Sequence, residues 1–333
     1  MTSAAAAAIA STVGMVIIGR NEGERLRRCL ESCQAVGARR VYVDSGSTDD
    51  SVALALASGA QVVRLDMASP FTAARARNAG LAELRRQCPD VAQVQFIDGD
   101  CELMPDWLDT AAAFLDQHQD VVAVAGRLRE RAPGRSVFNQ LCDIEWNTPV
   151  GEARSFGGIV LIRIAAMLDA GGFREDLIAG EEPELGVRLR ARGGRLWRLD
   201  HDMAWHDANI LHLSQWWRRT VRSGHAFAEG AALHGRPPER HFAAETRRAL
   251  VWGAALPLAI AAAACATRLG WLLALAYPLQ WLRIGIRLAR VKSPIAWRQS
   301  GFLVLGRFPE ALGALKFYLG RLLGRRSGLI EYK

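Results

Sequence analysis

The sequence predicts an α/β fold with a doubly wound, mostly parallel sheet, followed by a helical region that associates with a membrane. Apolar runs of strand length alternate with amphipathic helical stretches through the first hundred residues, a pattern typical of parallel sheets. The composition changes near residue 247, beyond which apolar runs carry arginines and almost no acids. We therefore expect an N-terminal tail over 1–12, an α/β domain over 13–246 and a basic, apolar helical region over 247–333.

The predicted elements follow one another without a long linker. Val13–Ile18 is an apolar strand, and a polar turn and a helix follow it. A second strand over Val41–Val43 ends on Asp44. Beyond it come a strand in "AQVVRLD", a helix in "FTAARARNAGLAELRRQ" and a strand in "VQFID". Three further strands are expected, one over Val121–Leu128, one in "SFGGIVLIRIAAMLDAGGF" before a helix, and one around Leu196–Leu199.

Acidic side chains stand where two of these strands end. Asp44 ends the second strand, and Asp98 and Asp100 end the strand in "VQFID", separated only by Gly99. Two such carboxylates stay ionised together only when a cation lies between them, although Asp and Gly are also common in plain turns. Ligands of parallel sheets bind beyond the carboxyl ends of the strands. The convergence of three acids there favours a divalent metal site over a turn.

The charge of the chain is divided unevenly between its two parts. Residues 247–333 hold 14 Lys and Arg against two acids, whereas the first 246 residues carry a net charge of −4. A nucleic-acid binder usually has its basic face on the domain that binds, so we expect no nucleic-acid partner. An acidic body with a basic, apolar tail instead favours attachment to an anionic membrane surface. The six cysteines form no CxxC pair, which argues against a disulfide framework and a zinc site.

The apolar tail contains two runs that predict a membrane hairpin. The first run, over 249–267, has 19 uncharged residues, and a second run of 12 follows before Arg283. Basic residues outside both runs favour cytoplasmic ends, while the alternative is a pair of core helices. The stretch from Gly306 predicts an amphipathic surface helix. No basic residue precedes the N-terminal alanines, so we expect no signal peptide.

Six motifs occur in an order that resembles a known family. They are "VIIGRNE", "VYVDSGSTDDS", "ARNAG", "FIDGDCELMPDWL", "GGF" and "GEEPELGVRLR". Over about residues 13–230 the chain resembles an inverting family 2 glycosyltransferase, which implies the GT-A fold, a Rossmann-like doubly wound sheet that binds nucleotide sugars. The closing "LIEYK" resembles the end of bacterial members that make cell-surface polysaccharides.

The resemblance assigns the metal site to the acids after the fourth strand. Asp98 and Asp100 match the DxD motif of the family, which implies that Asp100 binds Mg²⁺ or Mn²⁺ and that Asp98 binds the metal or the ribose. Two acids are enough, because these ions take substrate phosphates as further ligands. His206 lies where many family members carry a metal-binding histidine, although a lone histidine is more often structural.

The resemblance also implies two contacts to the nucleotide. Asp44 is expected to accept a hydrogen bond from the base, with a role as a turn residue as the alternative. Arg77 in "ARNAG" is expected to face the nucleotide, and Arg75 competes with it for that role. Because residues 1–246 contain no lysine, a cationic phosphate clamp in the body must be Arg or His.

Two adjacent glutamates are the expected catalytic residues. The family motif usually reads Glu-Asp at this point, and here Glu182 occupies the position of the base, with Glu181 as a possible substitute. Such a base takes the proton of the acceptor hydroxyl while its oxygen attacks the sugar. The alternative is an ordinary helix start, where acids are favoured by the helix dipole.

A third motif follows the α/β pattern. Gln215 and Arg218 resemble the QxxRW motif of processive synthases, but Arg219 replaces its tryptophan, which argues against processive synthesis. These two residues are expected to meet the acceptor or a diphosphate, and an ordinary basic helix face is the alternative.

Together these features predict a metal-dependent, inverting glycosyltransferase at the cytoplasmic side of the inner membrane. It would move a sugar from a nucleotide-diphosphate donor to a glycan or a lipid-linked glycan in polysaccharide biosynthesis. One alternative is a transferase that acts on polyprenyl phosphate, and another is a nucleotide-sugar-binding protein without catalysis. An oxidoreductase is disfavoured because no GxGxxG follows the first strand.

Overall fold

The computed structural model describes residues 12–34 and 39–324, and the chain divides into two compact units after Asn209. The boundary predicted near residue 247 follows the change in charge, whereas the division after Asn209 follows packing. Most of the predicted tail over 1–12, and the closing "LIEYK", lie outside the described residues.

The first unit is built on one nine-stranded sheet. Its strands are β1 Val13–Gly19, β2 Arg40–Asp44, β3 Gln61–Arg64, β4 Gln93–Asp98, β5 Cys101–Leu103, β6 Val121–Glu130, β7 Gly151–Ala153, β8 Val160–Arg163 and β9 Arg195–His206. Its helices are α1 Glu24–Ser32, α2 Ser51–Ala57, α3 Ala73–Gln87, α4 Trp107–Gln117, α5 Val137–Glu145, α6 Ile164–Asp169 and α7 Glu181–Ala191. A 3₁₀ turn over Pro133–Arg135 precedes α5.

The strand order is β3-β2-β1-β4-β8-β6-β9-β5, with β7 paired to β9. The half from β3 to β4 is parallel and doubly wound, as predicted. The other half is mixed, because β8 runs antiparallel to β4 and β6, while β6 and β9 are parallel. Neighbouring parallel strands end at a common edge: Gly19 of β1 lies opposite Asp44, and Ile18 lies opposite Asp98.

Alternating side chains of the central strands fill two apolar layers, one on each face of the sheet. Met15 and Ile17 of β1 point into one layer and Val16 into the other, as strand geometry requires. Helix α3 approaches β1 closely at Gly80, where an added Cβ would lie 2.3 Å from Cγ1 of Val16. This close approach holds the start of α3, which carries Arg77, against the sheet.

The second unit is helical in the residues that the structure describes. Its helices are α8 Leu213–His234, α9 Ala243–Ala266, α10 Arg268–Arg290, α11 Ala296–Leu305 and α12 Arg307–Leu322. Helix α9 contains a π-helical turn over Val251–Ala255, and α10 begins with a 3₁₀ segment over Arg268–Leu275.

The helix predicted to begin near Gly306 is present as α12. One of its faces carries small residues, and another carries exposed apolar side chains. Its small residues face α8, and an added Cβ at Gly313 would lie 2.0 Å from the carbonyl oxygen of Val221. Leu315 and Leu319 on other parts of α12 are exposed. One side of the helix therefore packs on a neighbour while apolar side chains remain in contact with solvent.

Helices α9 and α10 are long and apolar enough to cross a membrane, by length and composition. Only 11% of the most apolar window of each helix is buried, so the alternative of two core helices does not describe their packing. They form a hairpin around Thr267, and the hydroxyl of Tyr277 donates to the carbonyl oxygen of Trp252 at 2.7 Å between them.

Candidate active site

A buried arginine gathers three carboxylates in the first unit. The side chain of Arg77 is only 3% exposed. Its Nη2 donates to Oδ1 of Asp98 at 2.9 Å, and its Nη1 donates to Oε1 of Glu181 at 2.9 Å. Nη1 also lies 3.0 Å from Oε1 of Glu182. We call these four residues the Arg77 cluster. Because the cluster holds one cation against three acids, it is electrostatically stable only through close ion pairing.

The polypeptide around Asn78 explains how these distant residues meet. The side-chain amide of Asn78 donates to the carbonyl oxygen of Phe173 at 2.8 Å, and its oxygen accepts the N–H of Phe173 at 3.0 Å. Gly171 and Gly172, at φ 81° and 71°, form the turn before Phe173 in a left-handed conformation that favours glycine. The Phe173 ring lies 5.6 Å from the guanidinium carbon of Arg77. These contacts fix the segment that leads into α7 beside Arg77.

Gly158 gives the cluster the space that it occupies. An added Cβ at this position would lie 2.5 Å from Nη2 of Arg77 and 2.8 Å from Oδ2 of Asp98. Both distances are shorter than a Cβ contact tolerates, and the buried guanidinium has little freedom to move. Only glycine leaves this ion pair undisturbed.

The electrostatics of the cluster act most strongly on Glu182. Burial raises the pKa of Glu182 to about 7, and the charge of Glu181 adds to this effect. The guanidinium of Arg77 opposes both by favouring the ionised carboxylate, and the same three acids raise the pKa of Arg77. Glu182 is therefore a carboxylate that gains and loses a proton near neutral pH, as a general base requires.

Asp100 and His206 form a second pair. Nε2 of His206 lies 3.2 Å from Oδ2 of Asp100, and the Trp146 ring lies against the imidazole with 4.6 Å between centroids. Asp100, Cys101 and His206 place one possible ligand atom each within 4.8 Å of one another. Nδ1 of His206 is buried and has no hydrogen-bond partner among the described residues.

The chemistry of these donors suits a divalent cation of the Mn²⁺ class. A carboxylate oxygen and an imidazole nitrogen are ligands that such ions accept, whereas the thiol of Cys101 prefers softer metals. Asp98 ends β4, and its side chain is 35% exposed beside the buried Asp100. The pair of Asp100 and His206 thus fits the metal site predicted from the sequence.

Asp44 has the partners of a turn residue. Its carboxylate accepts the N–H of Gly46 at 3.1 Å and the N–H of Ser47 at 3.2 Å, and the residue is 4% exposed. The turn role weighed from the sequence is therefore present, and the contact of Asp44 to a nucleotide base stays a prediction.

Gln215 and Arg218 belong to the second unit. Oε1 of Gln215 accepts the N–H groups of Leu211 and His212 at 2.9 and 3.0 Å, which completes the N-terminal cap of α8. Arg218 is exposed on the same helix. Gln215 has a structural role in this helix start, and the acceptor role of the two residues stays a prediction.

The family model for Glycosyl transferase family 2 matches residues 15–159. That segment includes the three acids at the strand ends and Arg77. The match covers less than half of the chain and is consistent with a family 2 glycosyltransferase. No curated protein sequence matches the chain closely enough to count as a relative.

Among the similar solved structures, the one with a TM-score above 0.5 agrees with the GT-A fold of this glycosyltransferase. The mannosyltransferase PcManGT from Pyrobaculum calidifontis, in complex with GDP-Man and Mn²⁺, is 20% identical, with a TM-score of 0.62 over 91% of this chain and 87% of that one. TarS residues 1–349 from S. aureus are 15% identical, with a TM-score of 0.46 over 93% and 92% of the two chains. Glucosyl-3-phosphoglycerate synthase from Mycobacterium tuberculosis is 20% identical, with a TM-score of 0.49 over 71% and 85%.

Sequence reasoning missed two residues that shape the site of this glycosyltransferase. Asn78 and Gly158 contact or border the Arg77 cluster, yet neither carries a charge. Asn78 lies inside "ARNAG" and Phe173 inside "GGF". The hydrogen bond between these residues therefore joins two motifs that are distant in the sequence. The motifs were visible in the sequence, but their contact with each other was not.

Proposed function

We propose that this family 2 glycosyltransferase is an inverting, metal-dependent enzyme of polysaccharide biosynthesis. It moves a sugar from a nucleotide-diphosphate donor to a hydroxyl group of a glycan or a lipid-linked glycan. The Arg77 cluster is the observation that carries this proposal, because it places a carboxylate with a pKa of about 7 at the acidic edge of a GT-A sheet.

The chain's own residues supply the base chemistry. Glu182 takes the proton of the acceptor hydroxyl as that oxygen attacks the anomeric carbon, and the bond from the anomeric carbon to the diphosphate oxygen breaks. The leaving nucleoside diphosphate keeps the electron pair of that bond. Arg77 holds Glu182 ionised and oriented, while Glu181 shares the same guanidinium nitrogen. Attack from the face opposite the leaving group inverts the anomeric carbon.

Asp100 and His206, together with the partly exposed Asp98, are the residues that would hold Mg²⁺ or Mn²⁺. A metal at this place would offset the negative charge that develops on the leaving diphosphate. The Mn²⁺ in the complex of the Pyrobaculum mannosyltransferase, which has a similar fold, supports the use of a divalent metal. Asp44 then accepts from the base of the nucleotide, and Gln215 and Arg218 meet the acceptor or its diphosphate.

The metal site is tested by binding of the donor. With purified protein and a panel of nucleotide sugars, we expect one donor to bind only when Mn²⁺ or Mg²⁺ is present. The Asp100→Ala variant should lose this binding by about tenfold or more, because it removes a first ligand of the ion. The matched control is the Asp90→Ala variant, which removes an exposed acid and should bind the donor like the parent. Binding that ignores the metal would remove Asp98 and Asp100 from the mechanism.

The pH dependence of kcat/KM follows from the proton on Glu182. Because the base must be ionised and its pKa is raised to about 7, we expect the rate to rise with pH up to about 7 and to level off above it. The Glu181→Gln variant removes a charge that raises this pKa, so its midpoint should move to lower pH. A midpoint that stays fixed in this variant would show that another group controls the profile.

Attachment to the cytoplasmic face of the inner membrane completes the proposal. Helices α9 and α10 are apolar and mostly exposed, and residues 247–333 carry a net charge of +12. Basic residues at the outer ends of such a hairpin favour the cytoplasmic side. A lipid-linked acceptor would then lie in the membrane to which the protein attaches.

A further inference from the structure

The second unit contains a cavity of about 900 Å³ with an unusual lining. Five arginines line it, and the rest of its lining is mostly apolar. The arginines are Arg248, Arg283, Arg287, Arg290 and Arg307. We call this space the arginine cavity. No acidic side chain lines it among the described residues, so its charge is strongly positive.

Three of these arginines are unpaired within the described part of the chain. Arg248 pairs with Glu245 at 2.8 Å and Arg307 with Glu310 at 2.6 Å. The remaining three, Arg283, Arg287 and Arg290, follow one another at helix spacings of four and three residues, which places them on one face of α10. Three exposed guanidinium groups on one face, without a carboxylate partner, favour a ligand that brings its own negative charge.

The apolar part of the lining narrows the chemistry of that ligand. Apolar side chains border the same space as the arginines; among them are Trp252, Leu279, Leu282, Ile286 and Leu303. A free phosphate or nucleotide would leave these side chains unused. A lipid with a phosphate headgroup satisfies both parts, because guanidinium groups pair with phosphate oxygens and hydrocarbon packs on apolar side chains.

The position of the cavity in the hairpin agrees with this ligand. An added Cβ at Gly270 would lie 2.1 Å from the backbone carbon of Ala263, so α9 and α10 meet directly beside their turn. Arg248 lies near the start of α9 and Arg290 at the end of α10, which puts both at the open end of the hairpin. If the hairpin enters a membrane with its turn first, the open end stays at the level of the lipid phosphates.

We propose that the arginine cavity binds the phosphate headgroup of a membrane lipid, with Arg283, Arg287 and Arg290 as its phosphate ligands. This inference deepens the proposed function, since it rests on the proposed membrane attachment and gives a lipid-linked acceptor a place to bind. The cavity lies within the second unit, so its binding is measured separately from donor binding.

Vesicle binding by the full-length protein tests this site. The probes are phosphatidylcholine vesicles alone, with phosphatidic acid, which exposes a phosphate monoester, or with phosphatidylglycerol, whose phosphate is a diester. We expect the parent protein to prefer phosphatidic acid. The triple variant R283Q/R287Q/R290Q should lose this binding by about tenfold or more, because each arginine contributes to attraction by an anionic surface.

The matched control removes the same charge elsewhere in the second unit. Arg247, Arg298 and Arg321 are exposed and do not line the cavity, so R247Q/R298Q/R321Q should keep the preference for phosphatidic acid. Equal losses in the two triple variants would overturn the proposal in favour of diffuse charge. A third variant, R283K/R287K/R290K, should keep membrane binding and lose part of the preference, since lysine lacks the bidentate fork.

Two further measurements are needed. One distinguishes a lipid phosphate from a free phosphate as the ligand, and the other distinguishes failure of the arginine cavity from failure of the proposed function. Inorganic pyrophosphate that binds the detergent-solubilised protein as tightly as phosphatidic acid would overturn the assignment to a lipid. Metal-dependent donor binding is measured on the same parent protein. Donor binding without a preference for phosphatidic acid rejects the cavity alone, and the preference without any donor binding rejects the proposed function alone.

Discussion

The Glu182→Gln variant is expected to lose about 10²–10⁴-fold in kcat with a glycan acceptor, because an amide cannot take the hydroxyl proton. Glutamine keeps the size of the side chain, so Arg77 can still donate to its oxygen and the donor should bind with unchanged affinity. Steady-state rates together with donor binding, measured on the same preparation, check both parts of this expectation.

The adjacent carboxylate provides the comparison for this experiment. Glu181→Gln removes the same charge from the same guanidinium but leaves the base, so its loss in kcat should be much smaller. A larger loss in Glu181→Gln than in Glu182→Gln would exchange their roles. If polyprenyl phosphate is the acceptor, the attacking oxygen is already an anion, and Glu182→Gln should then cost little activity.

The Arg77→Met variant is expected to lower the free energy of unfolding by about 3–5 kcal/mol, because it leaves buried carboxylates without their cation. Methionine fills much of the same space, which limits the effect of a cavity. Arg77 is only 2% exposed and Glu181 only 3%, so water cannot replace the ion pair between these two residues. Urea denaturation of the parent and the variant near neutral pH measures the difference.

The loss in Arg77→Met should shrink as the pH falls. In the folded parent, Arg77 partly offsets the rise in the pKa of Glu182. Without the guanidinium, the folded pKa of Glu182 therefore lies still further above its value in the unfolded chain. As the pH falls below the folded pKa, Glu182 takes up a proton and the folded state of the variant becomes more stable. This gain is complete once the pH lies below the pKa of Glu182 in the unfolded chain. Arg86→Met on the same helix is the control, since Arg86 forms an exposed ion pair and should change stability little. A loss independent of pH would point to packing instead of charge.

The parts of the site that follow short apolar runs could be predicted from the sequence. Asp44 and Asp98 each end such a run, and parallel strands on either side of β1 must finish at one edge. The contact of Asp100 with His206 also agrees with the predicted metal group. For Asp44 and Asp98 the period of the side chains determines the position almost alone, whereas the role of His206 followed from the family resemblance.

The Arg77 cluster could not be predicted in the same way. Arg77 and Glu181 are separated by 104 residues, and the turn through Gly172 and the space at Gly158 decide whether they meet. The direction of β8 was equally hidden, because an apolar run of four residues has the same pattern in a parallel or an antiparallel strand. Backbone conformation in loops and strand direction are tertiary properties that periodicity does not encode.

The position of β8 has a consequence for what counts as a minimal domain. The family match ends at residue 159, one residue before Val160–Arg163, which is the strand that joins β4 to β6. A fragment that stopped there would contain Arg77 and Asp98 but would expose the edge of β4 and lack both glutamates. Residues 15–159 therefore lack part of the sheet and both glutamates, and the segment that carries "GGF" and "GEEPELGVRLR" completes the site.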